Sequence, residues 1–256
     1  MAWGRWRQVS RPPHALITPH ARLPLTAVVL LCVAVVTALG VHYAGHTAAG
    51  PLDTSVDHWI QARLGITSVP LTVLTWLGDE LEVTLITIAA TLGCLLARWW
   101  RGAVLALLAA PVSALLTEDI LKPVIGRTIG GLKIGPSGHV VSVAALSMPS
   151  GHATAVFTLA TLAAVLLSRW RRPARYPIIV AAYALATAVA AAMIAQHFHY
   201  FTDVISGAAM GAGTVLTGAL AIDAAAPLLR ARFSRPGPAT GDHVQPAPPA
   251  PSDQQV

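Results

Sequence analysis

Long apolar runs separated by short polar stretches dominate the chain. Six windows come close to the roughly 20 mostly apolar residues that a membrane-crossing helix needs. They run from about Leu23 to Tyr43, Val69 to Ala97, Gly102 to Leu116, His152 to Leu167, Pro177 to Ala195 and Val204 to Leu229. The second window is impure, because Asp79, Glu80 and Glu82 interrupt it. Its first part, to about Gly78, reads as a half-buried or interfacial segment, with the spanning helix starting near Glu82. The pattern predicts an all-α fold: a polytopic membrane bundle of six transmembrane helices over residues 23–229, between tails at 1–22 and 230–256. The last stretch, Pro236 to Val256, is rich in Pro, Ala and polar residues, a composition that predicts disorder. The first apolar run is long for the core of a secretory signal. The small residues Thr47 to Gly50 lie several positions beyond it, so it reads as an uncleaved anchor. The chain shows no long-period repeat.

Composition agrees. Hydrophobic residues make up 55% and charged residues 11%, with mean hydropathy +0.63. A soluble domain carries about 25% charged residues, so one of this length could not cover its surface with so few. The net charge of +6 and pI near 10.0 would suggest nucleic acid, but the basic residues form no single patch. They recur at the edges of the apolar runs, which makes membrane lipids the expected partners and excludes nucleic acid. Arg5, Arg7, Arg11 and Arg22 precede the first run, and Arg98 and Arg101 follow the second. Arg169, Arg171, Arg172 and Arg175 follow the fourth, and Arg230, Arg232 and Arg235 follow the sixth, so 13 of the 17 basic residues fall on one side. Arg63, Lys122, Arg127 and Lys133 are left for the other. Positive residues stay cytoplasmic, so both tails are predicted inside. Trp99, Trp100 and Trp170 then fit an aromatic belt at the cytoplasmic helix ends. Cys32 and Cys94 both lie within apolar runs and suggest neither a disulfide framework nor a Cys-based metal site. Abundant Arg and Ala with few Lys point to a GC-rich bacterial source, and hence to a plasma membrane.

With that orientation, the outward loops hold the candidate chemistry. Between the third and fourth windows, Thr117 to Gly151 reads as a long non-helical stretch carrying Lys122, Arg127 and Lys133. It ends in Pro149-Ser150-Gly151-His152 at a helix start. A helix N-terminus offers free N–H groups and a positive dipole end to an oxyanion, and glycine admits close approach. An imidazole in the first turn can give a proton to a leaving oxygen. The same four residues also read as a plain helix start with Ser150 as N-cap. Between the fifth and sixth windows lie His197, His199 and Asp203. A carboxylate four residues from an imidazole can hold one ring nitrogen as N–H and leave the other free to attack; equally, Asp203 can cap the sixth helix. His197 would face elsewhere, as an interfacial residue. Lys122 and Arg127 can neutralise a phosphate, although Glu118 stands four residues before Lys122, the favourable order for a helical ion pair. Arg127 could also snorkel toward headgroups, and Lys133, in a Gly-rich stretch, reads as a mobile surface charge.

Taken together, Lys122 with a downstream Arg, the Pro-Ser-Gly-His segment and His199-x-x-x-Asp203 resemble the three-part signature of the type 2 phosphatidic acid phosphatase (PAP2) family. The resemblance covers about Gly102 to Gly211. It implies a PAP2-like core and a metal- and cofactor-independent lipid phosphate or lipid pyrophosphate phosphatase acting at the extracytoplasmic face. It implies His199 as nucleophile, forming a phosphohistidine, with Asp203 orienting it. It further implies His152 as the acid that protonates the leaving group and later activates water, and Lys122, Ser150 and the Gly151 N–H as the phosphoryl cradle.

Two positions depart from the pattern. The family's first motif places Arg-Pro where this chain has Ile129-Gly130, with Arg127 two residues earlier, and its third places Ser-Arg where this chain has Ala192-Met193. Arg127, or Lys133, would have to compensate. Each lost charge-assisted contact costs about 1.5–3 kcal/mol. Other readings are a phosphotransferase of the same fold, a catalytically weakened lipid-phosphate-binding membrane protein, and a proton relay or zinc site built from His197, His199 and Asp203. Substrate identity and oligomeric state are not encoded in these motifs.

Overall fold

A computed structural model describes residues 15–65, 69–134, 140–168 and 173–233. It is a helical bundle with one β-hairpin. Helix α1 spans Arg22–His42 and is preceded by a short 3-10 turn, Pro19–Ala21. The second apolar window divides into α3, Val69–Trp76, and α4, Glu80–Leu96, as its acidic interruption suggested. Helix α5, Trp100–Ala114, continues through a π-helical stretch, Leu115–Leu121, into α6, Lys122–Ile125. It stops at Gly126, whose φ of 66° favours glycine. Helices α7 (Gly151–Leu167), α8 (Arg175–Ala195) and α9 (Phe201–Phe233) complete the bundle.

Four features differ from the sequence expectation. Thr117–Ile125, read as the start of a non-helical stretch, continues α5 as helix, so Lys122 stands on a helix. Helix α2, Pro51–Leu64, fills the stretch after α1. The chain is not purely helical: within the stretch read as loop, Thr128–Ile134 (β1) and Val140–Leu146 (β2) pair antiparallel, Thr128 opposite Leu146 and Ile134 opposite Val140. Trp99 is buried against Gly102 and Cys94 rather than forming an interfacial belt, while Trp100 is exposed. Trp170, the first fourteen residues and 234–256 lie outside the described residues, and α9 runs a few residues into the segment expected to be tail.

Helices α7 and α9 form the most extensive pairing, with α5 packed on both, α4 beside α5, α8 beside α7 and α1 beside α9. Leu105 and Ala106 of α5, Leu162 and Val165 of α7, and Val215 and Ala219 of α9 share one core. At one end of this core, Arg101 at the start of α5 pairs with Asp223 late in α9 at 2.9 Å. The Asp223 carboxylate also accepts the Leu16 and Ile17 N–H groups. At the opposite end of α5 stand Glu118 and Lys122. Among the described residues, four helices are long and apolar enough to cross a membrane by length and composition: Pro19–His42, Trp100–Ile125, Arg175–Ala195 and Phe201–Leu228. Leu23, Leu30, Leu96, Val180 and Leu228 are all more than half exposed, an apolar surface larger than water tolerates.

Candidate active site

Close backbone packing brings two distant segments of the chain together. On α9, Gly207 and Gly211 stand four residues apart on the face against α7. A Cβ on Gly207 would lie 2.5 Å from the Ser150 carbonyl oxygen, and one on Gly211 would run into the Thr154 carbonyl. Small residues at this spacing let membrane helices touch backbone to backbone. The approach is sealed by the Ser150 N–H, which donates to the Asp203 carbonyl at 3.0 Å. Ser150 is the N-cap of α7: its hydroxyl oxygen accepts the Ala153 N–H at 3.4 Å, and the side chain is fully buried.

Lys122, Gly151, His152 and His199 line one cavity of about 1020 Å³. Its remaining wall is largely apolar, with Val83 and Ile88 of α4 and Leu107 and Ala110 of α5, so a charged end opens onto a hydrocarbon-like interior. The hairpin closes one flank through Ile129 and Leu146, and Met193 of α8 closes another. Ile129 and Met193, the residues standing where the PAP2 pattern has arginines, thus face the cavity. Lys122 Nζ pairs with Glu118 Oε2 at 2.7 Å on the same helical face, the i,i+4 pair the sequence allowed. The other carboxylate oxygen of Glu118 sits against Gly151, where a Cβ would collide with it. That carboxylate therefore stands at the N-terminus of α7, beside the lysine, in the place an anion would take. His152 meets Asp79, its ring Nε2 lying 2.9 Å from Asp79 Oδ1.

His199 is nearly buried, and its Nδ1 lies 3.9 Å from Asp203 Oδ2. Nδ1 has no hydrogen-bond partner among the described residues, while Asp203 Oδ2 accepts the Tyr200 N–H at 3.0 Å. Behind Asp203 lies Arg127, which is fully buried and does not line the cavity. Its guanidinium donates to Asp203 Oδ1 at 2.6 Å, to Asp53 Oδ2 at 2.6 Å and to Thr202 Oγ1 at 2.7 Å. It stacks over Tyr43 at 4.0 Å and Tyr200 at 4.5 Å. The expectation that Arg127 reaches phosphate or snorkels to headgroups is not what the structure displays: two carboxylates and two aromatic faces occupy it. Lys133 lies in β1, and its side chain is outside the described set.

Helix α2 supplies the other half of this network. Asp53 Oδ1 accepts the Thr202 N–H at 2.8 Å and Asp57 Oδ1 the Phe201 N–H at 3.1 Å. The orphan amides at the start of α9 are thus capped by another helix. Burial raises Asp53, but the hydrogen bonds from Arg127 and Thr202 outweigh it and hold the carboxyl below its ordinary value. For Asp57, burial and then the Asp53 charge push the carboxyl up to about 7, against the pull of the Phe201 N–H. His197 turns to α2, where its Nδ1 lies 3.2 Å from Gln61 Nε2. Among the described residues, no group of three or more His, Cys, Asp or Glu side chains is placed to hold a metal ion.

Of the sequence-derived candidates, Lys122, Gly151, His152 and His199 meet at the cavity. Ser150, Asp203 and Arg127 stand behind it and hold its walls. Asp53, Asp57 and Asp79 were missed as site residues. Asp53 and Asp57 had a local signal in Gly50-Pro51-x-Asp53, a helix start with Pro at its first position and an acid in its first turn. Asp79 had only its setting, as one of three carboxylates, with Glu80 and Glu82, that interrupt an otherwise apolar window.

No curated protein matches the chain. A crystal structure of a transmembrane PAP2-type phosphatidylglycerolphosphate phosphatase from Bacillus subtilis shares the fold. It has a TM-score of 0.54 and 21% identity over 76% of this chain and 93% of that one. The sequence profile of the PAP2 superfamily matches residues 103–226, the stretch that carries Lys122, the Ser150–His152 turn and the His199–Asp203 pair. The chain is an integral membrane protein, and its residues 103–226 match the PAP2 superfamily.

Proposed function

We propose that the protein is a metal-independent phosphatase of lipid phosphates or lipid pyrophosphates, working through a phosphohistidine at the extracytoplasmic face. The observation that carries this reading is the convergence of Lys122, Gly151, His152 and His199, from three separate segments, on one cavity whose far wall is apolar. A phosphoryl group needs the first part of such a cavity and a hydrocarbon chain the second.

The free ring nitrogen of His199 attacks phosphorus, and the bond to the lipid oxygen breaks. His152 gives its proton to that oxygen as it leaves. In the second half, His152 takes a proton from water, the water oxygen attacks phosphorus, the P–N bond breaks and inorganic phosphate departs. Asp203 steadies the Nδ1–H of His199. Its 3.9 Å separation fits a hydrogen bond that shortens once substrate enters. Lys122 and the Gly151 N–H face the developing charge, and Ser150 acts by capping the helix that presents that N–H.

The same reading places six spanning helices, α1, α4, α5, α7, α8 and α9, with both tails cytoplasmic. Support comes from the arginine asymmetry and from the Arg101–Asp223 pair lying at the end of the bundle opposite Lys122 and His152. Protein purified in detergent should release phosphate without added metal from phosphatidic acid, phosphatidylglycerophosphate or a polyprenyl pyrophosphate. Acid-labile phosphate should be trapped on wild type and absent from His199→Ala. Equal release by the two proteins would sink the mechanism, and product analysis with added sugar or lipid hydroxyls distinguishes hydrolysis from phosphotransfer.

One observation favours a second reading, a lipid-phosphate binder with little turnover: Ile129 and Met193 face the cavity and Lys122 is already paired. Met193→Arg separates the two. A steep rise from negligible turnover supports the binder, and robust activity before and after supports the phosphatase.

A further inference from the structure

The α3–α4 turn holds a carboxylate with no structural duty of its own. Asp79 is the N-cap residue of α4, yet its side chain makes no capping bond to that helix. An N-cap aspartate ordinarily turns back onto the N–H groups of its own first turn. Asp79 instead reaches His152, with Oδ1 at 2.9 Å from ring Nε2. Both partners of this contact are well anchored. The turn is closed by the Gly78 N–H to the Thr75 carbonyl and the Asp79 N–H to the Trp76 carbonyl, both at 3.0 Å. His152 stands in the first turn of α7. The turn also packs directly on the imidazole: a Cβ on Gly78 would lie 2.9 Å from His152 Cδ2, so the residue before Asp79 is one that lets backbone touch the ring.

The pair is half open to solvent, with side-chain exposures of 31% for His152 and 48% for Asp79. An ion pair so placed adds little to stability. Both groups line the cavity, so its value lies in orientation.

We propose that Asp79 is a positioning residue for His152, accepting the Nε2–H and leaving Nδ1 as the nitrogen that exchanges a proton with the leaving oxygen and then with water. The site thereby has two carboxylate–imidazole pairs, Asp203 behind the nucleophile and Asp79 behind the acid. The inference rests on the phosphatase reading above, in which His152 is that acid.

Leaving-group dependence tests it. An alkyl lipid phosphate expels a poor leaving group and needs the acid; an aryl phosphate such as 4-nitrophenyl phosphate expels a good one and does not. The ratio kcat/KM reports only the steps up to phosphohistidine formation, so the later role of His152 with water does not blur it. Asp79→Ala should lower kcat/KM about 10- to 100-fold on phosphatidic acid and less than threefold on the aryl ester, with the melting temperature unchanged. Asp79→Asn, which keeps an acceptor oxygen, should recover part of the loss. His152→Ala should show the same split, and the double variant should be no worse than His152→Ala alone. If His152→Ala splits the two substrates and Asp79→Ala lowers both alike or neither, the positioning role is overturned and the phosphatase reading stands. If Asp79→Asn is no better than Asp79→Ala, orientation is not the function and the proposal fails. If His152→Ala does not split them, the acid role falls and takes the inference with it.

Discussion

Replacing Arg127 with Met is the sharpest test of how the nucleophile is held. Arg127, Asp53 and Asp203 are each fully buried, and the guanidinium bridges the two carboxylates at 2.6 Å on either side. Methionine fills much of the volume but leaves two buried anions facing each other. Removing one partner of a buried pair costs about 3–5 kcal/mol. The amides that still donate to Asp53, from Gly50 at 3.2 Å and Thr202 at 2.8 Å, soften the loss without cancelling it. About 4 kcal/mol is the expected destabilisation, and at roughly 2–4 °C per kcal/mol for a chain of this size that is a fall of about 10 °C. Thermal unfolding in detergent, followed by a thiol-reactive dye, reads it directly, since Cys94 is buried and free. Adding Asp53→Asn removes one stranded charge and should recover several degrees. Arg127→Lys should not restore the wild-type value, because one ammonium cannot reproduce the planar fork between two carboxylates and Thr202. A variant that melts within 2 °C of wild type while its KM for lipid phosphate rises tenfold or more would put Arg127 on the substrate and refute this account.

Three further outcomes follow from the same geometry. Glu118→Gln removes the carboxylate that occupies Lys122 and the start of α7; the Ki for orthovanadate should fall about fivefold, roughly 1 kcal/mol, and an unchanged or higher Ki would show that Glu118 does not compete with the anion. Asp57 has its carboxyl raised from 3.8 to about 7, so between about pH 4 and 7 the folded state binds a proton that the unfolded state does not. Its stability contribution is complete below pH 4 and is lost as pH rises through 7. Asp57→Asn keeps the acceptor for the Phe201 N–H but not the charge. Its melting temperature should match wild type near pH 4.5 and exceed it by a widening margin up to pH 8, whereas a pH-independent difference would exclude this role for Asp57. Finally, kcat/KM should climb steeply with substrate chain length and level off once the apolar wall of the cavity is filled; equal values for short- and long-chain phosphates would deny that wall a part in binding.

How much of this was legible depended on the distance over which each signal acts. The apolar helices were legible because an unbroken apolar stretch is a local property of the chain; α7 starts at Gly151 and α8 ends at Ala195, within a residue of the expected bounds. Helix α2 escaped because no apolar window marks it: its hydrophobic residues are interspersed with Asp53, Asp57, His58 and Arg63. The hairpin escaped because the segment was read for its cations, while Leu132 and Ile134 flanking Lys133, followed by Gly135-Pro136-Ser137-Gly138, were a short strand-and-turn signal. Arg127 and Asp79 are a different case. Their partners lie 74 and 76 residues away for Arg127 and 73 for Asp79, and no local pattern reports which carboxylate a cation or imidazole will meet across a bundle. Motif spacing sent Arg127 to the phosphate because its neighbour in the pattern belongs there. The buried carboxylates took it instead.

That displacement changes the electrostatics of the whole cavity. Among its described lining residues Lys122 is the one Lys or Arg, set against Asp79, Glu80 and Glu118. Relative to a site with arginines at Ile129 and Met193, two charge-assisted contacts are gone, about 3–6 kcal/mol together. Burying a methylene contributes about 0.8 kcal/mol, so roughly four to seven methylenes against Val83, Ile88, Leu107 and Ala110 would offset them. The residues that stand in the arginine positions are themselves apolar and face the same space. The substitutions therefore move binding from the phosphate to the hydrocarbon while leaving both imidazoles and their carboxylates in place. A site so balanced should grip inorganic phosphate weakly and let the product go once the chain and the phosphate have parted.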